Sequence, residues 1–130
     1  MYTYRQHCRR FIFEGNELLR FSAKYPSFDE NTEITEFYEG LAKQCELFCE
    51  QSKFPEICEI FKGEKKGEKD LFQQRYTYNF CAQVSEISKE SASILLSVTF
   101  YRTKNEPLLS FADTQKWCLA TNMMQKNDKI

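Results

Sequence analysis

Between Ile34 and Cys49 apolar residues return every three or four positions: Ile34, Phe37, Tyr38, Leu41, Ala42, Cys45, Phe48 and Cys49. Glu33, Glu36, Glu39, Lys43, Gln44 and Glu46 fill the other face. This period predicts a helix from about 32 to 51, with candidate N-caps from Asp29 to Thr32. A helix with one apolar stripe has to bury that stripe against another element, so the rest of the chain must supply an apolar surface. Gly40 lies inside the stripe at a cost of about 1 kcal/mol relative to alanine. It is read as a mark of close approach to a strand.

The surrounding segments alternate instead. Residues 2–13 and 17–25 read as two strands joined by Glu14-Gly15-Asn16. Leu19, Phe21, Ala23 and Tyr25 form one face of the second strand, which Pro26 is expected to end. In the first strand Tyr2, Tyr4 and Cys8 share one parity while Phe11 and Phe13 share the other, so a bulge is expected near Arg9-Arg10. After the long helix, Phe54-Pro55 breaks the pattern, and a second short helix is expected over Pro55 to Phe61 with Ile57, Cys58 and Phe61 inward. Lys62 to Asp70 reads as a charged loop. Strands resume with Phe72, Tyr76, Tyr78, Phe80, Ala82 and Val84, then Ala92, Ile94, Leu96, Val98 and Phe100, with a turn at Ser88-Lys89-Glu90. Another turn at Lys104 to Pro107 leads to a strand from Leu108 to about Leu119. Residues 122–130 are expected to fray.

The expected order is β-β-α-(α)-β-β-β. The fold class is α+β: a two-layer sandwich in which one long amphipathic helix, with a short second one, packs on an antiparallel sheet of about five strands. All of 1–130 reads as a single domain, long enough to bury a real core. The 12 Phe and 7 Tyr beside 1 Trp lean toward sheet.

Composition excludes several classes of function. Eighteen basic and 19 acidic residues give a net charge of -1, which argues against nucleic acid as a partner. No apolar run is long enough for a membrane span or a signal peptide. Read as a complete natural chain, the protein is expected in the cytoplasm. Its six cysteines (Cys8, Cys45, Cys49, Cys58, Cys81, Cys118) are then expected to be reduced and mostly buried.

No catalytic, cofactor-binding or metal-ligating residue is assigned. His7 is the only histidine, and it reads as a surface residue among arginines rather than a general base. Cys45 and Cys49 lie one helical turn apart, as a pair of zinc ligands could, yet both fall on the apolar stripe, where burial explains them. Gly63 to Gly67 lacks the spacing of a phosphate loop. Arg75, Tyr76 and Tyr78 mix basic and aromatic residues as RNA-binding sheets do, but the tyrosines belong to the core parity. Tyr25, Tyr38, Tyr76 and Tyr78 could put hydroxyls at the rim of a pocket between helix and sheet, but the better reading is that these large aromatics fill the interlayer and their hydroxyls reach solvent.

Tyr25-Pro26-Ser27-Phe28, the helix with Phe37-Tyr38 and Ala42, Tyr76-Thr77-Tyr78, Leu95-Leu96-Ser97 with Tyr101, and Ser110 to Trp117 resemble the extracytoplasmic domain family of the anti-sigma factor RsiV. Related domains of unknown function precede the catalytic part of some bacterial peptidoglycan deacetylases. The order of elements matches over residues 10–120. This chain carries Tyr101 to Pro107 where those proteins have a glycine-rich segment. The resemblance implies the fold and a bias toward binding rather than catalysis. The expected function is therefore a non-enzymatic module that binds a protein partner through an exposed sheet face or edge. The alternative is a small-ligand or enzymatic pocket between helix and sheet.

Overall fold

A computed structural model describes residues 1–67, 75–102 and 106–125. Strand β1 (Tyr2–Phe13) turns into β2 (Asn16–Phe28). The turn residues Glu14 and Gly15 have φ of 51° and 80°. Positive φ at both central positions matches the right-handed twist of the paired strands, and glycine takes one of them without strain.

The helix follows as three contiguous stretches: α1 (Thr32–Phe48), a wider π turn (Cys49–Lys53) and α2 (Phe54–Gly67). Then come β3 (Tyr76–Ile87), β4 (Ser91–Tyr101), β5 (Pro107–Cys118) and β6 (Met123–Gln125). The sheet order is β1-β2-β3-β4-β5-β6. The expected strand start at Phe72, the turn residues Lys104 and Asn105, and the tail beyond 125 lie outside the described residues.

The α+β class and the order of strands stand, and about five strands comes close to the six present, but the sheet is mixed rather than antiparallel. Strand β2 runs parallel to β3, Leu19 to Lys24 against Tyr76 to Cys81. The cause is the helix, which carries the chain back along the sheet so that β3 enters in the direction β2 took. The remaining pairs are antiparallel.

The expected short second helix is corrected as well: Pro55 begins no new element but rides in a continuous one. Proline has no amide to donate and its ring crowds the preceding turn. Here that turn is widened into the π form, and the Phe54 amide reaches back five residues to the Cys49 carbonyl. The extra residue also resets the phase, so that Phe54, Ile57, Cys58 and Phe61 follow Cys49 inward. Lys62, Gly63 and Glu64, expected in a loop, continue this helix.

Strand β2 also passes through Pro26 to Phe28. Its ladder with β3 has already ended at Lys24. The Phe28 amide donates to Thr35 Oγ1 at 2.8 Å, on the edge away from β1. Pro26, two residues earlier, points its donorless nitrogen to that same unladdered edge, so no sheet bond is lost. The expected bulge near Arg9-Arg10 falls instead between Phe11 and Ile12, where Phe11 pairs with Leu19 and Ile12 with Glu17. Leu18 is the extra residue.

The core between helix and sheet is filled by Leu19, Phe21, Ile34, Tyr38, Ala42, Cys49, Ile57, Tyr78, Phe80 and Ile94, all buried. A Cβ placed on Gly40 would meet nothing within 4 Å, so this glycine marks open space and no close approach.

Candidate functional site

The sequence singled out Cys45 and Cys49, and the structure turns both toward the sheet. Burial pushes the Cys45 thiol up and the Cys49 thiol up to about 12. Thiols so held are poor nucleophiles and poor ligands. Among the described residues no three His, Cys, Asp or Glu side chains gather as a metal site would need. His7 is bound to the helix: its Nε2 lies 3.0 Å from Glu46 Oε1. The same glutamate accepts from Arg9 Nη1 at 3.2 Å, and Arg9 also reaches Glu50 at 2.7 Å. Arg5 faces Glu39 at 3.7 Å. The odd positions of β1 therefore keep one face throughout. They change from charged to apolar where the helix above them changes from acidic edge to core, and this explains the irregular pattern without a bulge at Arg9.

Tyr25, Tyr38, Tyr76 and Tyr78 fill the interlayer as expected, but the Tyr38 hydroxyl is held inside the protein and does not reach solvent. Tyr38 accepts from Trp117 Nε1 at 2.9 Å and donates to Gln115 Oε1 at 2.6 Å. Burial raises its hydroxyl to about 12, so it stays a proton carrier in this chain of bonds at any ordinary pH. Both cavities described below lie outside the interlayer.

The opposite sheet face carries no helix. Alternation places Gln6, Cys8 and Arg10 of β1 beside Lys24, Ser22 and Arg20 of β2, register partners in that order. Asn79 and Cys81 of β3 and Thr99 and Ser97 of β4 continue the rows. A cavity of about 450 Å³ lies over them, lined by Gln6, Cys8, Ser22, Lys24, Asn79, Ser97 and Thr99 among others. Where β2 and β3 part beyond Lys24, the Tyr4 hydroxyl accepts the Val84 amide at 3.0 Å and closes the gap.

At one end of this face three guanidiniums share Glu17. Arg10 Nε donates to it at 2.6 Å, Arg20 Nε at 2.9 Å, and Arg75 Nε lies at 2.9 Å. Burial alone would raise the Glu17 carboxyl, but the bonds from Arg20 and Arg10 outweigh it and hold the group below its usual range. A second cavity, about 690 Å³, opens at the end of the sheet between Phe28, Ile87 and Leu119. Asn31 does not cap the helix there; its amide donates to the Leu119 carbonyl at 2.7 Å and to Asn122 Oδ1 at 2.6 Å.

Strand β5 is the exception to the layered order. It meets the helix at its C-terminal end, where Trp117 packs on Phe37 and Tyr38 with ring centroids 5.2 and 6.0 Å apart. From Pro107 to Thr114 both of its faces are exposed. Leu108, Leu109 and Phe111 are 61, 41 and 49% exposed. Strand β6 pairs only with Lys116 to Cys118, so the outer edge from Pro107 to Gln115 has no strand partner among the described residues. Leu109 and Phe111 sit opposite Phe100 and Val98 of β4, and Lys53 of the helix lies over the Phe100 ring at 5.4 Å. Sequence reasoning missed this edge, because alternation along β5 is the same whether one neighbour or two are present.

Comparison with known proteins reaches the fold alone. No family model and no curated protein matches the chain. Among solved structures, a member of the DUF3298 family from Bacteroides fragilis superposes with a TM-score of 0.61 at 11% identity, over 98% of this chain and 59% of that one. A DUF3298 family protein from Pseudomonas aeruginosa PAO1 gives 0.59 at 9% identity, over 95% of this chain and 54% of that one. The chain thus spans somewhat more than half the length of these structures, and among its described residues no helix is long and apolar enough to cross a membrane. What the comparisons establish is that this six-stranded sheet under one helix is similar to the fold of DUF3298 family proteins.

Proposed function

We propose that the protein is a non-enzymatic interaction module in which β5 receives an extended segment of a partner protein. The supporting observation is the edge from Pro107 to Gln115, long, apolar and without a strand partner among the described residues. Such an edge offers alternate main-chain amides and carbonyls to an incoming strand, and Leu109 and Phe111 offer its side chains an apolar seat. The interlayer, the competing place for a ligand, is occupied by buried side chains. The RsiV-like resemblance, bacterial origin included, favours binding over catalysis in the same way. Six free thiols favour a reducing compartment.

The test is selection from a displayed library of random peptides, followed by amide hydrogen exchange. Selected peptides are expected to alternate apolar and polar residues and to slow exchange in residues 107–115. Phe111→Arg should abolish their binding without loss of fold. Binders that protect another region, or that tolerate Phe111→Arg, would sink the reading.

A further inference from the structure

The uncovered sheet face holds an arrangement that packing does not require. Arg10 and Arg20 are register partners on adjacent strands, and like charges placed directly opposite destabilise a sheet. Arg75 adds a third guanidinium 2.9 Å from the same carboxylate. Among the described residues Glu17 is the carboxylate these three groups share, and it neutralises one of their charges, which leaves an excess of two. Lys24, farther along the same face, adds another positive charge beside the cavity. Glu39, Glu46 and Glu50 of the helix lie across the sheet and are engaged by Arg5, His7 and Arg9.

A second anion would relieve this repulsion, and guanidinium forks match the geometry of a carboxylate. Next to the cluster runs the row Cys8, Ser22, Asn79 and Thr99 along an open trough of about 450 Å³; Ser22 Oγ donates to Asn79 Oδ1, which orients the Asn79 amide and leaves its N–H groups and the Thr99 hydroxyl to face a ligand. An open trough with a lining of mixed polar and apolar character suits an extended chain better than an enclosed small molecule, which needs most of its surface buried.

We propose that this face binds an acidic peptide segment, with its carboxylates on Arg10, Arg20 and Arg75 and its main chain along Ser22, Asn79 and Thr99. Charge complementarity carries the assignment. Glu17 then acts as an internal competitor, holding the guanidiniums together in the free protein.

The experiment is fluorescence anisotropy of a labelled oligoglutamate peptide titrated with the full chain, each variant first checked for fold by circular dichroism. Saturable binding is expected, weakened about tenfold by Arg10→Gln, whose side chain is exposed, and by added salt. Glu17→Gln should strengthen binding, an effect opposite in sign to simple structural damage. Should Glu17→Gln not fold, Arg10→Gln and Arg75→Gln still decide the matter. Absence of saturable binding, or affinity indifferent to Arg10→Gln and Arg75→Gln, would refute the proposal. Equal displacement by inorganic phosphate would also refute it, since the site would then take an isolated oxyanion.

Discussion

Tyr38 shows how one residue can serve two layers. Its ring is fully buried under the helix, and its hydroxyl stands between Trp117 and Gln115 of β5. Tyr38→Phe keeps the ring but leaves the buried Trp117 N–H without an acceptor. The expected cost is about 1–3 kcal/mol, read as a lower urea midpoint at unchanged slope. Trp117→Phe in that background should then cost less than it does alone, because the orphaned donor is gone. Periodicity marked Tyr38 as a core position. It carried no information that the hydroxyl would find its partners 77 and 79 residues away. The same limit applies to Glu17: an acid near a hairpin turn looks ordinary until Arg10, Arg20 and Arg75 converge on it.

At the level of elements, the helix was the most legible part of the chain, and its continuity the least. A single period locates a stripe, but a π turn shifts the phase by one residue, and a sequence reader sees that shift as a break at Phe54-Pro55. Within the helix, Gly40 stands over open space, so a methyl group costs nothing there and the gain in backbone entropy is free of steric penalty. Gly40→Ala is expected to stabilise the protein by about 0.5–1 kcal/mol, measured by denaturant titration. Among the strands, β6 lies where the sequence was expected to fray, while the existence of the other five followed from the sequence pattern. The direction of β3 did not, since a helix of this length can return a chain to the sheet in either sense, and neither did the uncovered state of β5, which depends on how far the helix extends sideways.

Across the whole molecule, two carboxylates hold distant parts of the chain together. Glu17 joins β1, β2 and Arg75 ahead of β3, and Glu64 on α2 grips Arg102 after β4 through two bonds of 2.8 Å. The bonds from Arg102 lower the Glu64 carboxyl below its ordinary value of 4.5, and Glu17 is likewise depressed. A carboxylate with a lowered folded-state pKa contributes stability that is present above the ordinary value and lost as pH falls through the lowered one. The melting temperature is therefore expected to drop as pH goes below about 4.5, with Glu64→Gln flattening part of that decline when melting is followed against pH. Charge composition alone showed a balanced chain; it could not show that acids gather along the helix and arginines at one end of the open face.

The short parallel seam, Leu19 to Lys24 against Tyr76 to Cys81, has a consequence for the order of folding. Every other strand pair joins segments that are neighbours along the chain, and such pairs close small loops quickly. The seam must close a loop that contains the entire helix. The hairpin and the β3-β4-β5 meander should therefore form early as two separate units, with the seam contacts consolidating after the rate-limiting step. Shaving Phe21 or Tyr78, which face each other there, is expected to speed unfolding far more than it slows refolding in a stopped-flow chevron.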